Sequence, residues 1–228
     1  SWEAVEESAD GTLRSVGGTR WKRSRAAAPL HVRVKRGVMR AMYLVLDCSQ
    51  HAEDADNEMR PTRLAVVVDA AAAFVSRYFE QNPVSTIAVL ITRDGKAEAL
   101  TPSSCNARQH VQALRGIRRC SGEASLQNAL NQTRDALATC PNYVSRELIL
   151  FSSSLSTCDP GDLHATIAQL ASDKVRCSVF SLLAEVYICR KIARDTGGEF
   201  GVALTPEHLR DMVMQLLPPR PLKSSVAG

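Results

Sequence analysis

Short continuous apolar runs alternate along most of the chain with longer segments in which apolar residues recur at helical spacing. The first run is AMYLVLD at residues 41–47, and similar runs follow at 85–92, 146–154, 174–183 and 199–204. Continuous apolar runs of this length are typical of strands that are buried on both faces of a sheet. Strands that alternate with helices favour βαβ units. The pattern therefore predicts an α/β fold with a doubly wound, mostly parallel sheet and helices on both faces.

Local signals indicate where several of these elements begin and end. Pro61 is the predicted first residue of a long helix that stops at Asn82-Pro83. Asp94-Gly95 is a hairpin signal, so KAEAL at 96–100 is predicted to return as one antiparallel edge strand. Further helices are predicted at 106–119, 125–140, from Asp159-Pro160 to 172, at 184–198, and at 206–217 with Thr205 as N-cap.

The two ends of the chain differ in composition from the segment between them. Residues 1–40 begin acidic and become strongly basic after residue 20, which indicates a poorly packed N-terminal arm. Its first stretch, SWEAVEESADGTLRS, is predicted to form one or two helical turns. The basic stretch is either a solvated linker or an arm that docks on an acidic partner or on DNA. Residues 41–217 form the predicted domain, and residues 218–228 a Pro-rich linker.

Composition narrows the class of protein further. The chain has 228 residues, 45% of them hydrophobic, and a net charge of +4, so one large domain is expected and charge alone does not indicate nucleic acid. Seven cysteines without a CxxC pair favour free buried thiols over disulfides or a zinc site. No signal peptide begins the chain, and no apolar run approaches the ~20 residues of a membrane span. We therefore expect a soluble intracellular protein without membrane contact.

Hydroxyl-bearing residues cluster where the predicted strands end. Asp47 and Ser49 follow the first core strand, Ser153 follows the third, and Ser125 opens a middle helix. Ligands of doubly wound sheets bind at this carboxyl edge. The chain contains no GxGxxG, no P-loop and no GxSxG motif, so neither a nucleotide site nor a hydrolase elbow is indicated.

These positions resemble the metal-ion-dependent adhesion site of von Willebrand factor A domains, which implies a fold of that type. The adhesion site has D-x-S-x-S after the first strand, a Thr before a middle helix and an Asp after the fourth strand. Here Asp47 and Ser49 match, His51 stands in place of the third hydroxyl, Ser125 replaces the Thr, and Ser153 replaces the second carboxylate. One carboxylate and a nitrogen ligand make a poor magnesium site.

We therefore expect neither a metal nor a catalytic residue at this edge. Glu53, Asp54, Asp56 and Glu58 could in principle supply a carboxylate, but a solvated loop is the preferred interpretation. Asp47 is expected to accept hydrogen bonds from neighbouring hydroxyls and loop amides, as in a former metal site that is kept for architecture. Its replacement by alanine should lower stability without any magnesium dependence.

A longer set of motifs resembles one family in particular. The segments are SWEAVEESADG, RGVMRAMYLVLDCS, RPTRL, RYFEQNPVS, SREL with LILFSSSLSTCDP, SLLAEVYICRKIARDTGGEFGV, and the Pro-rich exit. In this order and spacing they are similar to the von Willebrand A-containing core subunit of transcription and repair factor TFIIH, the subunit that binds the XPD helicase.

That resemblance implies a nuclear protein that is not an enzyme. Members of the family bind and stimulate the XPD helicase in nucleotide excision repair and serve RNA polymerase II transcription initiation, together with other TFIIH core subunits. They also carry a C-terminal cysteine-rich region that binds zinc. This chain stops at Gly228, so zinc is expected only in that further region and no cofactor is expected here.

The loop that follows the third core strand is the predicted partner site. It presents Leu155 between hydroxyl residues, and an apolar anchor inside a polar rim is typical of an interface hot spot. We expect Ser154, Leu155, Ser156 and Thr157 to contact the helicase.

Three other functions compete with this interpretation. A metal-dependent adhesion domain conflicts with His51, Ser153 and the free cysteines. A proteasomal ubiquitin receptor uses an intracellular domain of this fold, but such receptors begin almost directly with the first strand, without a 40-residue arm. An enzyme of doubly wound fold would need a nucleophile and a base, and Ser153 with His51 is the pair that this edge could offer.

Overall fold

A computed structural model describes residues 5–7, 13–15, 39–54 and 58–219, referred to below as the described residues. The strands are β1 (Val5–Glu7), β2 (Leu13–Ser15), β3 (Arg40–Asp47), β4 (Thr86–Arg93), β5 (Lys96–Ser104), β6 (Ser145–Ser152), β7 (Val175–Ser181) and β8 (Phe200–Val202). The helices are α1 (Arg63–Gln81), α2 (Ala107–Arg115), α3 (Leu126–Ala138), α4 (Leu163–Ser172), α5 (Tyr187–Thr196) and α6 (Pro206–Met214), with a short 3-10 helix at Gln50–Glu53.

Six of these strands form one sheet in the order β5-β4-β3-β6-β7-β8. All neighbours in it are parallel except β4 and β5, which are joined by the predicted turn at Asp94-Gly95. Both turn residues have positive φ, as a tight hairpin requires. The predicted doubly wound, mostly parallel sheet with one antiparallel edge strand is confirmed.

Alternate residues of the central strand β3 face two separate cores. Met42, Leu44 and Leu46 belong to the cluster that includes residues of α1, α2 and α6. Ala41 and Val45 belong to the cluster that includes residues of α3, α4 and α5. This period of two is what a strand between two helical layers requires, and it accounts for the continuous apolar run in the sequence.

Several element boundaries differ from the predicted ones, and at two helix starts a capping side chain sets the boundary. Helix α1 begins at Arg63 and not at Pro61, since Thr62 Oγ1 accepts a hydrogen bond from the Ala65 amide at 3.2 Å. Helix α4 begins at Leu163, after the Asp162 cap, and not at Asp159-Pro160. Strand β5 runs past the predicted end to Ser104, α2 stops at Arg115, and α5 starts at Tyr187.

The N-terminal residues Ser1–Arg33 form a unit separate from Val34–Gly228. In this first unit β1 pairs antiparallel with β2, and Val5 lies opposite Ser15. The prediction of helical turns in this stretch is therefore wrong. The sequence between the strands carries Asp10-Gly11, a hairpin signal that competes with the helix-forming residues around it. The predicted basic arm falls almost entirely outside the described residues.

A buried ion pair holds the amino end of the sheet. Arg40, the first residue of β3, is 2% exposed, and its Nε and Nη2 donate to the two carboxylate oxygens of Glu147 at 2.9 and 2.7 Å. Its guanidinium also donates to the carbonyls of Leu216 and Leu217 at 2.9 and 2.8 Å, and lies 5.0 Å from the ring centroid of Tyr78. Arg40 therefore ties the segment after α6 to the start of β3 and β6.

All seven cysteines are free thiols, as predicted. Cys48, Cys177 and Cys189 are buried, whereas Cys105 and Cys158 are exposed, so burial holds for only part of the set. Among the helices of the described ranges, none has both the length and the apolar character needed to cross a membrane.

Candidate functional site

Asp47, the last residue of β3, is the centre of the carboxyl edge of the sheet and is 4% exposed. Its Oδ1 accepts a hydrogen bond from the Ser49 amide at 2.9 Å. Its Oδ2 accepts hydrogen bonds from the Ser153 amide and the Ser154 hydroxyl, each at 2.9 Å. The prediction that Asp47 accepts hydrogen bonds from loop amides and hydroxyls is confirmed. The carboxylate thereby joins the end of β3 to the loop that follows β6.

Three buried hydroxyls close to Asp47 have no hydrogen-bond partner among the described residues. They belong to Ser49, Ser153 and Thr92, the last of which lies opposite Asp47 in the register of β3 with β4. An unpaired buried hydroxyl typically costs about 1–3 kcal/mol. The edge is therefore rich in neutral polar groups that do not serve the stability of the fold.

His51 does not join this cluster. It lies in the 3-10 helix, where its Nε2 is 3.6 Å from Glu123 Oε1 and its Nδ1 is 3.8 Å from Asp54 Oδ2. No hydrogen bond links His51 to Asp47 in the described part of the chain. The side chain of His51, which stands where an adhesion site has its third hydroxyl, thus faces surface carboxylates.

Ser125 contributes to the start of a helix and is fully buried. It is the N-cap of α3, and its hydroxyl accepts from the Asn128 amide at 3.3 Å and donates to Asp159 Oδ1 at 3.0 Å. Its oxygen is therefore used for capping and for holding Asp159.

Asp159 is a site residue that the sequence analysis missed. Its Oδ1 also accepts from the Gln127 amide at 2.7 Å, and its Oδ2 accepts from the Thr157 hydroxyl at 2.9 Å. A carboxylate at the first turn of α3 interacts favourably with the helix dipole. In sequence, Asp159-Pro160 has the appearance of a helix start, and only the tertiary fold brings Asp159 to a different helix.

Glu123 is a second missed residue. Its carboxylate accepts from the Gln50 side-chain amide at 3.1 Å and from the Ser156 hydroxyl at 3.2 Å. It therefore bridges the 3-10 helix and the loop after β6. No motif in the sequence distinguishes it, although it lies two residues before Ser125.

The predicted partner segment forms a loop that is held on both sides, and we call residues 153–158 the Leu155 loop. Ser154 is buried beneath it, with its hydroxyl engaged by Asp47, so its side chain supports the loop from within. The Cys158 amide donates to the Ala124 carbonyl at 2.8 Å. Between these fixed points Leu155 is 61% exposed, flanked by the exposed Ser156 and Thr157.

The residues at this edge do not fit a magnesium ion. Mg²⁺ requires near-octahedral oxygen ligands that include one or two carboxylates. Asp47 Oδ1 is already engaged by the Ser49 amide and Oδ2 by the Leu155 loop, and Asp159 and Glu123 are engaged elsewhere. Within the described ranges, no group of three or more His, Cys, Asp or Glu side chains is arranged to hold a metal.

The described acidic residues of the segment that ends the 3-10 helix, Glu53, Asp54 and Glu58, are exposed, in agreement with the predicted solvated loop. Glu53 Oε1 accepts from the Cys120 amide at 3.0 Å, and Asp54 pairs with Arg63 at 3.2 Å. Glu58 is exposed, and residue 56 lies outside the described ranges. Glu53 and Asp54 therefore fasten neighbouring segments, and among the described residues neither carboxylate bonds to the Asp47 region.

The Ser153 and His51 pair lacks the geometry of a nucleophile with its base. Ser153 is 1% exposed and its hydroxyl has no partner among the described residues, while His51 faces Glu123 and Asp54. A base must lie within hydrogen-bond reach of the hydroxyl that it activates. The arrangement gives no support to an enzymatic interpretation of this edge.

Two thiols beside Asp47 interact with each other. The hydrogen bond to Cys120, together with burial, raises the pKa of Cys48, and the same hydrogen bond lowers the pKa of Cys120. The two backbone segments are joined as well, because the amide of Ser121, the residue after Cys120, donates to the Cys48 carbonyl at 3.1 Å. The segment before α3 is thus anchored directly to the end of β3.

Solved structures of low sequence identity share this architecture. The SpRpn10 VWA domain superposes with a TM-score of 0.66 and 16% identity, over 78% of this chain and 95% of that one. The TFIIH p34 N-terminal domain superposes with a TM-score of 0.61 and 13% identity, over 78% and 97%. At these identities the likeness concerns the fold alone, and it confirms the predicted von Willebrand A-type fold.

Curated relatives are more similar in sequence. The chain is 36% identical over 229 residues to general transcription factor IIH subunit 2 of Arabidopsis thaliana, covering 97% of this chain and 54% of that protein. It is 35% identical over 230 residues to general transcription and DNA repair factor IIH subunit ssl1 of Schizosaccharomyces pombe, covering 96% and 53%. The chain thus spans about half the length of the curated relatives it matches.

A protein-family model shows to which family the chain belongs. The model described as Ssl1-like matches residues 45–228, which include Asp47, the Leu155 loop and every helix of the sheet domain. This match and the curated relatives agree with the resemblance stated from the sequence motifs, and the chain therefore belongs to the Ssl1-like family.

Proposed function

We propose that this chain is a non-catalytic subunit of TFIIH that binds the XPD helicase and stimulates it. The processes would be nucleotide excision repair and RNA polymerase II transcription initiation, in the nucleus and beside other TFIIH core subunits. Relatives that are named as subunits of factor IIH support membership of that assembly. The more specific part, the contact with the helicase, depends on the carboxyl edge of the sheet.

The observation that carries the helicase contact is the exposed Leu155 on a pre-organised loop. A leucine that is 61% exposed leaves apolar surface in water, and burying it against a partner would be favourable. The Asp47 and Ala124 hydrogen bonds already order the loop at its two ends. Little conformational entropy would therefore be lost when a partner binds.

The surroundings of Leu155 suit a protein partner. Ser156 and Thr157 are exposed at the rim, where their hydroxyls donate to Glu123 and Asp159. A small apolar anchor within a polar rim is the usual composition of an interface centre. The proposed DNA contact of the basic stretch 20–40 concerns residues that are almost all outside the described ranges, and it stays a separate prediction.

The helicase contact is tested with the substitution Leu155→Arg in the full chain. We expect loss of co-purification with the XPD helicase and loss of its ATPase stimulation, because a charged side chain cannot be buried in the apolar pocket of a partner. The matched control is Val84→Arg, since Val84 is also 61% exposed but precedes β4 at the opposite edge of the sheet.

Two outcomes would separate the coarse and the specific parts of the proposal. Unchanged helicase binding by Leu155→Arg would reject the loop as the contact, while co-purification with other TFIIH subunits would still support membership of the assembly. Equal losses from Leu155→Arg and Val84→Arg would show an effect of surface charge and not of a particular interface.

A further inference from the structure

A cluster of unpaired arginines lies on and directly after α2. Arg108, Arg115, Arg118 and Arg119 are exposed, and residues 107–119 contain no aspartate or glutamate. None of the four forms an ion pair or a side-chain hydrogen bond with another described residue. The chain as a whole carries a net charge of only +4, so this segment, like the basic stretch at residues 20–40, concentrates positive charge locally.

Three of these arginines line a cleft between α2 and the second half of α1. The cleft has a volume of about 810 Å³, and its wall includes Arg108, Arg115 and Arg118. Val111 supplies an apolar patch between the charges, and Ser76 reaches the cleft from α1. The cleft is largely open to solvent, which suits an extended segment that lies across it better than an enclosed small ligand.

The spacing along α2 defines what could fit. Arg108 and Arg115 are seven residues apart and therefore lie on one face of the helix, separated by about 10 Å at ~1.5 Å per residue. Val111 lies on the same face, three residues after the first and four before the second. The helix thus presents a charged, an apolar and a charged position in a row.

An extended peptide has a matching repeat. In the polyproline II conformation, with three residues per turn and a rise of ~3.1 Å per residue, two carboxylates three residues apart lie on one face of the peptide about 9 Å apart, close to the separation of Arg108 and Arg115. Guanidinium groups bind carboxylates through paired hydrogen bonds. We propose that this cleft binds an extended acidic segment of a partner protein in the polyproline II conformation, with carboxylates three residues apart on Arg108 and Arg115.

Nucleic acid is the less suitable anionic partner for this cleft. Single strands are held by aromatic side chains on which the bases stack, and the lining residues include no aromatic. A duplex needs an extended basic surface, whereas the charges here surround a concave site with an apolar floor. The inference goes beyond the proposed helicase contact and does not depend on the Leu155 loop.

The test is a fluorescence anisotropy titration of the full chain with a labelled peptide in which glutamates three positions apart flank leucines. The same peptide with glutamine in place of glutamate controls for charge, and labelled oligothymidine represents nucleic acid. The variant is R108E/R115E, and the matched control is R210E, an exposed arginine on α6. R108K/R115K keeps the charge but removes the forked donors. Circular dichroism establishes that each variant is folded.

We expect the acidic peptide to bind and the glutamine peptide to bind weakly or not at all. R108E/R115E should lower the affinity for the acidic peptide by at least about tenfold. R108K/R115K should lower it by a smaller factor, and R210E by less than about twofold. Binding of oligothymidine through the same two arginines without binding of the peptide would overturn the proposal. The proposal would also be overturned if the acidic peptide did not bind, or if R210E lost as much affinity for it as R108E/R115E. Helicase binding by R108E/R115E is measured in parallel, so that failure here is distinguished from failure of the Leu155 contact.

Discussion

The two ends of β3 each bury one charged side chain, and the protein treats the two charges differently. At the amino end, Arg40 is paired with Glu147 and with two carbonyls of the segment after α6. At the carboxyl end, Asp47 has no ion pair in the described part of the chain and is held by two amides and one hydroxyl. One charge is neutralised by a counter-charge, and the other is stabilised by dipoles alone.

This difference separates support from recognition. The ion pair at the amino end connects β3, β6 and the end of α6, so its loss would affect the whole fold. The hydrogen bonds at the carboxyl end order a single loop and leave Leu155, Ser156 and Thr157 at the surface. We therefore expect substitutions at the amino end to lower the free energy of unfolding. At the carboxyl end, we expect the effect to shift from stability at Asp47 to partner binding at Leu155.

The largest effect is expected for Arg40→Met. Removal of one partner leaves the Glu147 carboxylate and two carbonyls buried without their donor, and such losses typically cost about 3–5 kcal/mol. Urea denaturation measures the free energy of unfolding. The double variant R40M/E147L should recover much of the loss, because no unpaired charge then stays buried. A cost below about 1 kcal/mol for Arg40→Met would contradict the supporting role of the pair.

The same pair predicts a dependence of stability on acid. Burial opposes ionisation of Glu147, but hydrogen bonds and the charge of Arg40 outweigh it and hold the pKa of Glu147 below its ordinary value. The stabilisation is therefore complete above the unfolded-state pKa of about 4.3 and is lost as pH falls through the lower folded-state pKa. Thermal melting between about pH 6 and pH 3 should show the loss, and R40M/E147L should show a smaller slope.

A smaller effect is expected for Asp47→Ala at the other end of the strand. Two buried amides and one hydroxyl lose their acceptor, which corresponds to about 1–3 kcal/mol in the free energy of unfolding. Asp47→Asn keeps an acceptor oxygen and should lose less. Neither the wild type nor either variant should be stabilised by added magnesium in a thermal melt. A rise in melting temperature with magnesium in the wild type alone would show that the edge holds a metal after all.

The smallest effect on stability is expected for Leu155→Arg. Its side chain is mostly in water, so the free energy of unfolding should change by no more than about 0.5 kcal/mol. Chemical denaturation of Leu155→Arg beside Val84→Arg measures this directly. A large loss of stability in Leu155→Arg would mean that the leucine supports the loop, and the contrast between the two ends of β3 would then disappear.

Much of the fold was predictable because its signals are local or periodic. The apolar run in β3 predicts burial on both faces, and Asp94-Gly95 predicts the edge hairpin that the structure contains. The predicted start of α1 at Pro61 was wrong because Thr62 and Ala65 make the cap, and a cap depends on side-chain geometry. The helical prediction for the first fifteen residues was wrong because β1 pairs with β2, and the Asp10-Gly11 turn signal between these strands outweighs the acidic helix formers.

The candidate site was predictable in part, and the division has a physical reason. Asp47, Ser49 and Ser153 could be placed together from sequence because parallel strands deliver their carboxyl ends to one edge. The sequence by itself thus determined the fold class, the family and the hydroxyl-rich edge. Only the tertiary structure decided that His51 turns away, that Ser154 is buried, and that Asp159 and Glu123 complete the site. Those outcomes depend on loops whose paths are set by contacts between residues far apart in the chain, which no local pattern records.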